Sequence, residues 1–101
     1  MKVWVIGHPE AVQGFALVGV FGIIAESVES VNQALDRAQA EIDIGIVLVT
    51  TKATKLAHER MDQLRRHSGT PIFLEIPDPD GMDPTSTSLT DVVNQAIGIN
   101  R

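Results

Sequence analysis

The side chains with the most chemical reach in this 101-residue sequence are its three histidines and a concentration of basic residues between positions 52 and 66. His8 comes directly after an apolar run, Lys2 to Ile6, that stops at Gly7, and it precedes Pro9-Glu10. A histidine placed after a first strand and at a helix N-terminus can accept a phosphoryl group, because the exposed amides there stabilise the anion. The commoner role of such a residue is that of an exposed loop position or an indifferent N-cap. His58 and His67 are nine residues apart on one expected helix, and at 3.6 residues per turn that spacing does not bring them together on a shared metal. Both read as solvated. Lys52, Lys55, Arg60, Arg65 and Arg66 are five of the eight basic residues and are opposed there only by Glu59 and Asp62. Such a face is ordinarily just solvated, but in an acidic chain it also suits an oriented encounter with an acidic partner.

The elements that must position these groups are organised around Ile44-Gly-Ile-Val-Leu-Val-Thr50, an unbroken apolar run rich in β-branched residues. It reads as a central strand covered on both faces, as in a parallel sheet; a strand with one wet face would alternate. Lys2 to Ile6 reads as the first strand, followed by a helix opened by Pro9 and ended near Gly19, with Ala11, Val12, Phe15, Ala16 and Val18 on its inner face. Val20 to Ala25 reads as an outer strand. Ser27 or Ser30 caps the next helix, whose inner side is Val31, Ala34, Leu35 and Ala38. A third helix, capped by Thr51 or Thr54, runs to about His67 with Ala53, Leu56, Ala57, Met61 and Leu64 inward. Ile72 to Ile76 is the last strand, and Glu75 inside it suggests an edge position. Right-handed crossovers then predict an α/β fold: a four-stranded parallel sheet of order 2-1-3-4, flanked by helices and flavodoxin-like.

Residues 1–76 form this sheet domain. Pro77-Asp-Pro-Asp-Gly-Met-Asp-Pro84 holds three prolines, a glycine and three aspartates, so residues 77–85 read as an exposed linker. Beyond it Leu89, Val92, Val93, Ala96 and Ile97 follow helical spacing up to Gly98, which predicts an amphipathic helix within residues 86–101. Its stripe either packs on the sheet or lies on another protein.

Ligands of such sheets bind beyond the carboxyl ends of the strands. Receiver-type phosphoacceptance needs an aspartate ending the third strand, and Thr50 stands there. A flavin phosphate loop needs hydroxyl residues and glycines, whereas the first loop offers Gly7 alone. No cofactor is expected. A net charge of −5 opposes nucleic-acid binding, which relies on clustered cations facing phosphates. The absence of cysteine removes disulfides, thiolate metal sites and cysteine nucleophiles. No stretch reaches membrane-spanning length and the N-terminal apolar run is too short for a signal peptide, so a cytoplasmic location without direct membrane insertion is expected.

Val3-Trp-Val-Ile-Gly-His-Pro-Glu-Ala-Val-Gln-Gly-Phe-Ala-Leu-Val-Gly-Val20 resembles the opening of the F subunit of the V-type (A/V-type) rotary ATPases, and Val93-Asn-Gln-Ala-Ile-Gly-Ile99 resembles that family's C-terminal Ala-Ile-Gly signature. Ile44 to Thr50 and Pro71-Ile-Phe-Leu-Glu-Ile-Pro77 resemble its third and fourth strands. One departure is Ala16, where the family commonly carries Arg. The resemblance implies a non-catalytic central-stalk protein that binds the coiled coil of the D subunit. It would turn inside the hexamer of catalytic A and B subunits, peripheral to the membrane, and couple ATP turnover to ion movement. Partner contacts are then expected at Phe15, Arg65, Arg66, Leu89, Val92, Val93 and Ile97. The alternative is a small phosphocarrier with His8 as acceptor, as in mannose-type phosphotransferase domains of similar architecture.

Overall fold

In the computed structural model, which describes residues 2–66 and 69–78, four parallel strands pair in the order β2-β1-β3-β4. These are β1 (Lys2–Gly7), β2 (Phe21–Ile24), β3 (Ile44–Thr50) and β4 (Ile72–Ile76), and the helices are α1 (Pro9–Ala16), α2 (Val28–Ala40), α3 (Thr51–Leu56) and α4 (His58–Arg66). The predicted sheet, its order and its flanking helices are therefore present. The 77–85 linker from Pro79 onward and the 86–101 helix, with Leu89, Val92, Val93 and Ile97, lie outside the described residues, as does His67.

Successive residues of a strand point to opposite faces, which splits the core in two. Trp4, Ile6, Val47, Val49 and Phe73 meet the inner sides of α2, α3 and α4, including Val31, Leu35, Ala53 and Met61. On the other face Val5, Leu48 and Ile76 close around Phe15 of α1. The centre of the sheet is thus dry on both sides, which is why β3 shows no alternation.

Local signals explain where the helices begin and end. Ser27 rather than Ser30 is the N-cap of α2: its Oγ accepts from Ser30 N at 3.1 Å, while Ser30 Oγ accepts from Ser27 N at 2.9 Å. This reciprocal box satisfies donors that the helix cannot pair itself. Ser27→Ala is expected to lower stability by about 1 kcal/mol and Ser27→Gly by only a few tenths, as thermal melts would show. At the end of α1, Val20 N donates to Phe15 O and Gly19 N to Ala16 O, both at 3.1 Å. With Gly19 at φ 84° this is a Schellman stop, a backbone turn that side chains with a Cβ rarely adopt.

Two expectations about helices need correction. Ala16 and Val18 do not line an inner face; both are exposed, because α1 stops at Ala16 and the chain turns away. The third helix is two: Ala57, at φ −137° and ψ 49°, breaks it, and Thr50 rather than Thr51 or Thr54 caps its first part. Ala57 is buried, so the apolar stripe runs on across the break and periodicity conceals it.

Candidate partner-binding surface

At the carboxyl edge of the sheet the ends of β1 and β3 pack closely. The Thr50 side chain lies over Gly7 so closely that a Cβ there would meet Thr50 Cγ2 at 2.5 Å and Oγ1 at 2.9 Å. Gly7 is therefore required for strand packing at this point rather than for cradling a phosphate. Thr50 Oγ1 is turned to Ala53 N at 3.4 Å, and Thr51 Oγ1 donates to Ile76 O at 3.2 Å. Asp78 Oδ2 accepts from Lys52 N at 2.9 Å. A buried carboxylate thus meets a backbone amide at the start of α3 that the helix itself cannot satisfy. Pro77 is exposed, and Asp78 next to it is 9% exposed and tied to the sheet domain.

His8 is the N-cap residue of α1, and its side chain makes no capping hydrogen bond. Its Nδ1 is shielded from solvent and has no hydrogen-bond partner. His58 is exposed and sits 3.7 Å from Asp62 Oδ2 across one turn of α4. No group of three or more metal-ligating side chains assembles among the described residues.

The basic stretch divides. Arg60 is not part of an outward basic face: its guanidinium reaches back to α2, pairing with Asp36 and donating to Gln39 Oε1 at 2.8 Å, Asn32 O at 3.2 Å and Asn32 Oδ1 at 3.3 Å. It fastens α4 to α2, which spacing along one helix could not reveal. Arg65 lies 3.6 Å from Glu75 of the edge strand β4, and Arg66 Nε donates to Asp62 O at 3.2 Å. Both remain exposed at the end of α4, as do Lys52 and Lys55 on α3. Phe15, by contrast, is 1% exposed. Its ring belongs to the core and can serve a partner only by supporting the surface above it.

Composition and periodicity missed the opposite edge. Phe21 and Ile24 of β2 are about half exposed, and Leu17, Val18 and Val28 in the flanking segments are exposed as well. Phe21 packs against Trp4 with ring centroids 4.8 Å apart and the rings tilted at 52°, and the Arg37 guanidinium covers both rings at 5.4 and 5.5 Å. This arrangement holds an aromatic platform at the sheet edge. The available signal was the Phe-Gly-Ile-Ile sequence of β2 itself, an edge strand without the charge that edge strands usually carry.

The described surface is thus apolar along β2 and basic at the end of α4. A profile of the ATP synthase (F/14-kDa) subunit family matches residues 3–93. The chain belongs to that family. It is on that footing a non-catalytic component of the complex. It is 36% identical over 104 residues to the A-type ATP synthase F subunit of Pyrococcus furiosus, covering 98% of this chain and 96% of the relative. Identity to the protein of the same name from Thermococcus gammatolerans is 32% over 105 residues with the same coverage. To that of Methanothermobacter thermautotrophicus it is 29% over 97 residues, covering 94% and 91%. The resemblance drawn from the strand and chain-end motifs agrees with this family. Among the described residues no helix is long and apolar enough to cross a membrane.

Proposed function

We propose that this chain is the F subunit of an A-type ATP synthase and serves in its central stalk, binding the coiled coil of the D subunit and turning with it inside the catalytic A and B hexamer. It thereby couples ATP turnover to ion movement. The observation that carries this reading is similarity to relatives named as the F subunit of A-type ATP synthase along nearly the full length of both chains. Thr50 where a receiver-type aspartate would stand, packed tightly on Gly7, supports it from another side. In this reading residues 1–76 are the body, 77–85 the connection, and 86–101 an arm that presents Leu89, Val92, Val93 and Ile97. Arg65 and Arg66 steer the encounter with an acidic surface, and Phe15 contributes by holding α1 to the sheet. Co-expression with the D subunit of an A-type synthase tests the proposal: a stoichiometric complex is expected on size exclusion. Separate elution, together with phosphoryl transfer to His8 from a phosphohistidine donor, would favour the phosphocarrier reading.

Steering makes a separate expectation. Arg65→Glu combined with Arg66→Glu should slow association at low salt and flatten its salt dependence, leaving the fold intact as judged by far-UV circular dichroism. An unchanged association rate would return this face to ordinary solvated surface.

A further inference from the structure

Among the described residues β2 is an end strand of the sheet, with β1 as its partner. Ala25 N donates to Gly7 O at 2.9 Å, toward β1, and backbone groups alternate sides along a strand, so the N–H and C=O of Gly22 and Ile24 face away from β1. Edge strands ordinarily blunt such a row with charge or proline, and Phe21-Gly-Ile-Ile24 carries neither. Phe21 and Ile24 are each about half exposed. Charge stands at the two ends of the strand and differs in sign. The Arg37 guanidinium lies over Phe21 at the amino end, and the exposed Glu26 follows Ala25 at the carboxyl end.

We propose that this edge pairs with the same edge of a second copy of the chain, antiparallel about a two-fold axis at Ile23, so that the sheet continues from one chain into the next. The backbone fixes the register. In an antiparallel pair, residues that exchange both N–H···O bonds lie directly opposite each other, so Gly22 meets Ile24 of the second copy and Ile23 meets Ile23. Phe21 then stands opposite Ala25 of the second copy, and Arg37, over Phe21, comes beside the Glu26 that follows it. The two-fold axis repeats this pair at the other end. A parallel pairing would instead set Arg37 against Arg37 and Glu26 against Glu26. This agreement of sign with register selects a second copy as the occupant over an unrelated strand. The interface is small beside the roughly 1,200 Å² that stable complexes bury, so the dimer is a reversible one that forms as concentration rises. It is independent of the coiled-coil reading; any partner that covers β2 displaces the second copy.

Sedimentation and amide exchange of the full chain, at concentrations up to about 1 mM, provide the test. The mass should rise from 10.9 kDa toward twice that value, and exchange of the Gly22 and Ile24 amides should slow as it does. Glu26→Lys and Arg37→Glu each bring like charges together and should each weaken the dimer at least tenfold, as should Ile24→Lys. Mixing the Glu26→Lys and Arg37→Glu proteins should restore association, because each supplies the charge that the other lacks. A chain that stays monomeric throughout, Gly22 and Ile24 amides already protected in the monomer, or a dimer that neither Glu26→Lys nor Ile24→Lys weakens would overturn the proposal. So would a mixture of the two charge variants that remains monomeric. Should Arg37→Glu lose its fold by uncovering Trp4 and Phe21, Glu26→Lys and the exchange of the unaltered chain decide.

Discussion

Phe15→Ala is expected to lower the unfolding free energy by about 3–5 kcal/mol, a large part of the roughly 5–15 kcal/mol that holds a domain of this kind. The ring is 1% exposed and closes the smaller of the two cores against Val5, Leu48 and Ile76. Two of those neighbours sit on central strands paired on both sides, so they cannot move in to fill the cavity. Phe15 O also accepts the Val20 hydrogen bond that turns the chain into β2, which ties the packing to the Schellman stop. Denaturant melts of the two proteins measure the difference, and a loss below about 1 kcal/mol would mean that the site collapses without cost.

Deleting Leu89 to Arg101 has the largest effect expected on binding rather than on folding. All four strands and both described cores lie before Asp78, so the shortened chain should keep its sheet. Its affinity for the coiled coil of the D subunit should fall by at least a hundredfold, because the removed stripe carries several large apolar side chains, each contributing about 1.5–3 kcal/mol when fully buried. Titration calorimetry on the full and shortened chains reads the difference. Equal affinity, or an unfolded shortened chain, would make this segment ordinary core structure.

Much of the fold is legible because the sheet is parallel and dry. Ile44 to Thr50 carries no alternation, and no antiparallel strand with a wet face would look so; the remaining runs then fall into order by right-handed crossover. The inner face of α2 can be read residue for residue, since Val31, Ala34, Leu35 and Ala38 follow one period without interruption. The break at Ala57 is not legible, because a small apolar residue satisfies the stripe whether or not its backbone stays helical. The surface is harder still. Arg60 looks like its neighbours along the chain, and only the packing of α4 against α2 sets it against Asp36 and Gln39. Asp78 looks like linker composition, yet its carboxylate accepts from the Lys52 amide at the start of α3. Phe21 belongs to an apolar run that composition alone would bury, whereas among the described residues β2 has a partner strand on one side alone.

The central claim is that this chain works by binding a coiled coil, and amide hydrogen exchange of the full chain, free and mixed with the coiled coil of the D subunit, tests it most directly. In the free protein the C-terminal segment should open at lower free energy than β3, and in the mixture it should gain protection while the loop around His8 stays unchanged. No change anywhere on addition of the coiled coil would contradict the account.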